Sequence, residues 1–191
     1  GLDLPWYAQL WTFARDLATG ELRTSLPPFQ RKVLPALGAA LPYTLLLTVS
    51  AMAVSLALAL PLGVMAAARR GTPVDAAAMA EAAYQRAGVA LPRFWLGPVL
   101  IIVFALKLDW LPVSGAESWR HLVLPAFTLG TALAAFLARM TRATMLEALR
   151  EDYVTVARAK GLSQRAALYG HVLRNALVPV VTVMGLQFAE L

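Results

Sequence analysis

The feature that most constrains this chain is a run without any charged residue from Val33 to Ala68. Folded as a helix, this run would be ~54 Å long at ~1.5 Å per residue, which exceeds the ~30 Å hydrocarbon core of a bilayer. The composition agrees with a lipid setting, because 59% of the residues are hydrophobic and the mean hydropathy is +0.63. The sequence therefore predicts a membrane protein built from helices that cross the bilayer.

Four apolar segments are predicted to enter the membrane. They are residues 43–66, 87–106, 122–139 and a last segment that opens at 176 and is cut off at 191. Pro35, Gly38 and Pro42 indicate that the residues before the first span lie outside the bilayer or at its interface. We therefore expect an all-α, polytopic helical bundle with three complete spans and the start of a fourth. Because the chain begins without Met and ends inside an apolar run, we expect a piece of a longer protein.

The residues before the first span form a separate region. Residues 1–38 are expected to be an extracytoplasmic or interfacial segment, and residues 39–191 the transmembrane domain. Apolar residues recur at helical spacing from Trp6 to Leu17, which favours an amphipathic helix at the membrane surface. An ordinary extramembrane helix is an equally good interpretation.

Two features of the predicted spans bear on packing and on the solute path. Arg93 falls inside the second span, where its side chain either extends to the headgroups or lines a water-filled path. Small residues in the first span predict close packing against a neighbouring helix. These are Ala51, Ser55, Ala57 and Ala59.

The charge pattern sets the orientation and excludes several functions. Lys and Arg are concentrated in the segments that follow the first and third spans, which are therefore predicted to be cytoplasmic. The net charge of +6 then reflects topology, and no nucleic-acid partner is expected. There are no Cys residues and only two widely separated His residues, so no metal site is predicted. The spans 43–66 and 122–139 contain no Asp, Glu or His, which argues against an intramembrane enzyme.

The segment of residues 140–175, between the third and fourth spans, is the main candidate for a functional region. Tyr153 to Lys160 is compatible with a helix, and Gly161 predicts a helix end with positive φ. Ser163 is placed to cap a second short helix. Two short helices joined by a Gly turn would form a knob that fills a groove on a partner. From the residues alone, a solvated basic loop that sets topology or meets anionic lipid is an equal alternative.

In the knob, the apolar and charged side chains would have different tasks. Arg158 and Lys160 would provide charge complementarity to the partner. Apolar contact with the partner would come from Tyr153, Ala157, Leu162 and Leu168.

The order of residues in this segment closely resembles the cytoplasmic coupling loop of ABC importer permeases, in particular the dipeptide, oligopeptide and nickel branch. The segment reads Thr155-Val-Ala-Arg-Ala-Lys-Gly161 and then His171-Val-Leu-Arg-Asn-Ala-Leu-Val-Pro179. Gly161 and Leu173 match the superfamily pattern of Glu-Ala-Ala, Gly and Ile-x-Leu-Pro. Thr155-Val156 replace Glu-Ala, His171 replaces Ile and Arg174 replaces Pro, as is usual in the peptide branch. Because the Glu is absent, Arg158 or Lys160 is expected to take over partner recognition.

The resemblance covers nearly the whole chain, since the segments 60–71, 91–97 and 108–115 also match that branch in order. It implies the permease subunit of an ATP-driven importer, which forms half of the pathway for peptides or related small solutes. The solute itself stays open among peptides, nickel chelates, glutathione and opines. An ATP-independent membrane pore or scaffold is the alternative.

The resemblance also implies partners, a location and site residues. The partners would be a homologous second permease subunit, two cytoplasmic ATPase subunits, an extracytoplasmic solute-binding protein and the lipid bilayer. The chain would be a multi-pass protein of the inner or plasma membrane of a bacterium or archaeon. The chain has no Gly-x-x-x-x-Gly-Lys-Ser/Thr motif, so ATP hydrolysis is expected on a separate chain, with no catalytic residue or cofactor here. The expected ATPase-coupling residues are Asp152, Tyr153, Ala157, Arg158, Ala159, Lys160, Gly161, Leu162, His171, Arg174 and Asn175.

Overall fold

A computed structural model describes residues 5–22, 32–80 and 95–190, and most of these residues are helical. The helices are α1 (Trp6–Thr19), α2 (Val33–Ala68), α3 (Pro73–Ala78), α4 (Leu96–Leu100), α5 (Arg120–Ala148), α6 (Asp152–Ala159), α7 (Gln164–Ala167) and α8 (Leu173–Glu190). A π-helical segment, Ile101–Lys107, continues α4, and another, Leu168–Val172, joins α7 to α8. The chain divides into two compact units, residues 1–46 and 47–191.

The first unit contains α1 and the beginning of α2. Helix α1 ends at Gly20, whose φ of 71° is left-handed, and the Glu21 N–H donates to the Asp16 carbonyl oxygen at 2.9 Å. The Val33 N–H donates to the Leu22 carbonyl oxygen at 2.8 Å. This bond holds the residues after α1 against the first residue of α2.

In the second unit, α2 presents a stripe of small residues to α5. Ala51, Ser55 and Ala59 are fully buried at i, i+4 spacing, which confirms the close packing predicted for them. A Cβ at Gly63 would lie 2.6 Å from the Thr141 Cβ. Ala57, in contrast, is exposed, and its predicted role in packing is wrong. Two residues beyond Ser55, it lies about 200° around the helix from the buried stripe.

Helices α2, α5 and α8 share an apolar core. Ala59 of α2, Leu137 and Ala138 of α5 and Val180 of α8 are almost completely buried together. Hydroxyl groups inside α5 bond to their own helix, as at Thr141, whose Oγ1 donates to the Leu137 carbonyl oxygen at 2.8 Å. The bundle is therefore held by close contacts of small and apolar side chains.

The predicted all-α, polytopic fold is confirmed. Within the described residues, three helical stretches are long and apolar enough to cross a membrane, namely Val33–Ala68, Arg120–Ala148 and Gln164–Ala189. Leu96–Lys107 is a shorter apolar helix, and the earlier part of the predicted second span, with Arg93, lies outside the described residues.

The helices differ in extent from the apolar segments. Helix α2 is continuous from Val33, so the stretch with Pro35, Gly38 and Pro42 belongs to the same helix as the first span. In the last stretch, helical structure already begins at Gln164, ahead of the apolar segment predicted from 176.

Candidate functional site

The segment after α5 folds into a bent pair of short helices. Helix α6 ends at Ala159 with Lys160 as its C-cap, and Gly161 follows with a φ of 89°. The Gly161 N–H donates to the Arg158 carbonyl oxygen at 3.0 Å, and the Leu162 N–H donates to the Ala157 carbonyl oxygen at 3.2 Å. No atom lies within 4 Å of the place that a Cβ at Gly161 would take. Glycine is therefore needed here for its backbone conformation and not for lack of space.

Ser163 starts the second short helix. Its Oγ accepts a hydrogen bond from the Ala166 N–H at 3.3 Å, and its φ and ψ are extended, as in a normal N-cap. The predicted arrangement of helix, Gly turn and second helix is thus confirmed. We call residues 152–167, which contain α6, the Gly161 turn and α7, the elbow.

The inner side of the elbow packs against the ends of the long helices. The buried residues of this contact, called the end cluster below, come from α2, α5, α6 and the start of the last helical stretch. They are Val64, Ala67, Met145, Val154, Leu168, Val172 and Ala176. Met145 and Val172 are fully buried, and Tyr153 packs against the cluster from α6. Through this cluster the elbow is in buried contact with both α2 and α5.

The structure divides the predicted coupling residues into an exposed and a partly buried set. The half-buried residues are Tyr153, Ala157 and Leu162. The exposed residues are Asp152, Arg158, Ala159, Lys160, Gly161, His171, Arg174 and Asn175. The last three of these lie beyond the elbow, on the π-helical segment and the start of α8. The charged side chains of the elbow are thus free to meet another protein.

One part of the predicted contact surface is wrong. Leu168, expected to contact a partner, is only 9% exposed and belongs to the end cluster. Tyr153 also packs against that cluster, because the side of α6 that carries Val154 faces inward. The exposed apolar side chains at this end are instead Val156, at 52%, and Tyr169, at 57%. The sequence signal for Val156 is its position on α6, about 200° around the helix from buried Val154.

A second feature, which sequence reasoning missed, is an ion pair between α3 and α5. Arg142 Nε donates to Asp75 Oδ1 at 2.6 Å, and Arg142 Nη2 donates to Asp75 Oδ2 at 2.7 Å. The Gly71 N–H donates to the same Oδ2 at 3.0 Å. The hydrogen bonds from Arg142, followed by the one from Gly71, lower the pKa of Asp75 from 3.8 to about 2. The carboxylate is therefore ionised throughout the physiological range.

The turn before α3 is held by hydrogen bonds of its own. Gly71 has a φ of 77°, and Thr72 Oγ1 donates to the Arg69 carbonyl oxygen at 2.7 Å. A cavity of about 450 Å³ lies beside the ion pair, with Arg139 in its wall. No local sequence pattern indicates the pair, because its two residues are 67 positions apart. In the ranges that the structure describes, no group of three or more His, Asp or Glu residues is arranged to bind a metal.

The similarity to known proteins extends over both the elbow and the helical bundle. Residues 59–191, which include the elbow and the ion pair, match the family described as "Binding-protein-dependent transport system inner membrane component". The chain is 42% identical over 191 residues to the Glutathione transport system permease protein GsiC of Escherichia coli O6:H1 strain CFT073. It is 41% identical to the proteins of the same name from Escherichia coli K12 and Shigella dysenteriae serotype 1.

Each of these alignments covers 100% of this chain and 61% of the relative, so the chain spans about three fifths of their length. The family is one of transport components, which agrees with the expectation that this chain is not an enzyme. The match also confirms the predicted kinship with ABC importer permeases of the peptide and nickel branch. This chain belongs to the family of inner membrane components of binding-protein-dependent transport systems.

Proposed function

We propose that this chain forms part of the permease subunit of an ATP-driven importer and contributes half of the solute pathway. The observation that carries the proposal is the two-sided elbow. Its inner side is packed into the end cluster, and its outer side exposes charged residues next to apolar Val156. A segment built in this way receives force from a partner and passes it to the helices.

The outer side of the elbow indicates the kind of partner. Asp152, Val156 and Ala159 share the outward face of α6, and Lys160 lies beside it, whereas Arg158 is exposed on the side of α6 that carries Val154. This surface fits a groove with an apolar floor and an acidic rim, in which an amphipathic helix docks by its exposed side. We assign this groove to the cytoplasmic ATPase subunits, of which the importer would contain two. His171, Arg174 and Asn175 would extend the contact beyond the elbow.

Inside the chain, the force would follow the end cluster. Val154 moves with α6, Met145 belongs to α5, and Val64 belongs to α2, so all three elements meet in one buried contact. Closure of the ATPases would push the elbow and rock α2, α5 and α8 between inward-open and outward-open arrangements. Such rocking needs a stiff contact at the helix ends, which the cluster provides.

The relatives support proposals for the remaining partners and for the solute. The relatives named above are permeases of a glutathione transport system, and glutathione is a short peptide. We propose that the solute is a peptide of similar size, delivered by an extracytoplasmic solute-binding protein. A homologous second permease subunit would complete the pathway, in the inner or plasma membrane of a bacterium or archaeon.

Helix α1 is proposed to lie on the outer membrane surface. Trp6, Leu10, Phe13 and Leu17 form one stripe and are between 56% and 76% exposed. Trp and Tyr side chains favour the interface between lipid and water, and the exposed stripe of α1 is suited to that interface. The bond between Leu22 and Val33 keeps the end of α1 near the start of the first span.

The test of the coupling proposal is Arg158→Glu in the complete importer. A reversed charge at exposed Arg158 opposes the acidic rim, so we expect ATPase subunits to be lost on copurification and ATP-driven uptake to fall at least about tenfold. The matched control is Arg15→Glu, on exposed α1, which should keep both. Full ATPase binding and uptake in Arg158→Glu would contradict the proposal. Solute flux without ATP would favour a pore instead.

A further inference from the structure

We propose that Asp75 and Arg142 are positioning residues of the transport cycle, because their ion pair ties the turn after α2 to α5. Through this tie, the turn Arg69–Thr72 and α3 would move together with the elbow. The inference rests on the proposed function, since it concerns how force applied to the elbow reaches α2. We call the Asp75–Arg142 pair the tie below.

The geometry of the tie fixes both the distance and the relative orientation of its two side chains. Two parallel N–H···O bonds, at 2.6 and 2.7 Å, join the guanidinium and the carboxylate. A bidentate pair of this kind fixes orientation as well as distance, which a single contact between apolar side chains does not. Asp75 is 7% exposed, so solvent competes little for its oxygens. Among the residues that the structure describes, this is the only salt bridge.

Both ends of the tie are attached to stiff parts of the chain. Arg142 lies on α5, one turn before Met145, which is fully buried in the end cluster. Asp75 also accepts the Gly71 N–H at 3.0 Å, so its carboxylate is bonded to the turn as well as to α5. The tie thus connects the helix that the elbow contacts to the turn that ends α2.

The packing of α2 on α5 explains why a contact that fixes orientation matters here. Next to Arg142, Thr141 of α5 is in close contact with Gly63 of α2. Packed helices are still able to make small sliding movements along one another, even where their side chains are in close contact. The tie lies beyond this contact and prevents such sliding at the end where the elbow pushes. The end of α2 then follows α5 in each stroke.

The prediction is that breaking the tie uncouples ATP hydrolysis from transport without releasing the ATPase. In the complete importer reconstituted into liposomes, Asp75→Asn and Arg142→Gln should keep ATPase copurification. The amount of solute moved per ATP should fall roughly fivefold or more, the lower range of measured couplings between sites. The exchanged pair Asp75→Arg with Arg142→Asp should recover most of this ratio. Arg150→Gln, which changes an exposed arginine just after α5, is the control and should keep the wild-type ratio.

Chemical crosslinking gives a second measurement, which does not depend on whether the exchanged charges form an ion pair. The chain has no Cys, so Asp75→Cys with Arg142→Cys provides one defined thiol pair. Joining the thiols with a short bifunctional reagent should restore the transport ratio, and the unlinked double variant should resemble Asp75→Asn.

The outcomes separate the tie from the proposed function. An unchanged transport ratio in both single variants, beside a coupled wild type, would overturn the tie alone. Failure of both the exchanged and the crosslinked pair to recover the ratio would also overturn it. Absence of ATPase binding in the wild-type protein itself would overturn the proposed function and, with it, this inference.

Discussion

Single residues at the elbow have roles that follow from backbone conformation. Gly161 has a φ of 89° with open space around its α-carbon, whereas Gly170 has the same open space in a helical segment. The two glycines therefore separate the effect of φ from the effect of added volume. The positive φ at position 161 is what allows α6 to end and the chain to turn into α7.

We predict that Gly161→Ala destabilises the elbow and Gly170→Ala does not. The left-handed conformation costs an L-residue about 1 kcal/mol, whereas alanine in a helix is about 1 kcal/mol better than glycine. Thermal unfolding of the detergent-solubilised protein, with ATPase copurification, measures both effects. A lower unfolding temperature for Gly170→Ala, with no change for Gly161→Ala, would contradict this assignment.

The ionisation of Asp75 gives a prediction about pH. Its pKa is lowered from 3.8 to about 2 in the folded protein, so its stabilising effect is complete above pH 4 and is lost as the pH falls toward 2. Wild type should be more stable than Asp75→Asn by about 1–2 kcal/mol at neutral pH, a value reduced because Arg142 is partly exposed. The difference should be constant from about pH 8 to 5 and shrink below about pH 4. A difference that changes between pH 6 and 8 would point to another group.

For the helices, neighbouring residues in the sequence predicted the turns and helix ends better than the contacts between helices. The Gly161 turn and the Ser163 cap each depend on neighbouring residues, and each was predictable. The inward side of α6 was not, because a helix of 8 residues with apolar side chains on several sides has no clear preference. Only the end cluster, which joins distant parts of the chain, decides that Val154 faces inward and Val156 outward. The Asp75–Arg142 pair was unpredictable for the same reason.

The contact between α2 and α5 gives a prediction at this scale. A Cβ at Gly130 would lie 2.7 Å from the Ala51 carbonyl oxygen, which is backbone and has little freedom to move. Gly130→Ala should therefore push the helices apart and cost about 1–3 kcal/mol. Gly185→Ala on α8, where nothing lies within 4 Å, is the control and should be neutral or stabilising. Equal unfolding temperatures for the two variants would contradict the close packing of α2 on α5.

For the whole molecule, the membrane class and the family followed from composition and from the order of residues in the elbow. The uncharged run from Val33 to Ala68 required helices in lipid, and the structure has α2 over that same run. The match over residues 59–191 extends the kinship through the elbow and the following helix. The connection between the elbow and the bundle could not be predicted from the sequence, because it depends on buried contacts among α2, α5 and α8.

We propose that the elbow faces the cytoplasm, where an ATPase subunit binds it. The chain has no Cys, so Lys160→Cys introduces a single thiol on the exposed end of α6. The measurement is labelling of this thiol by a membrane-impermeant maleimide, from either side of the membrane, with and without ATPase subunits. We predict labelling only from the cytoplasmic side and protection when the ATPase is bound. Labelling from the outer side, or equal labelling with and without the ATPase, would contradict the account.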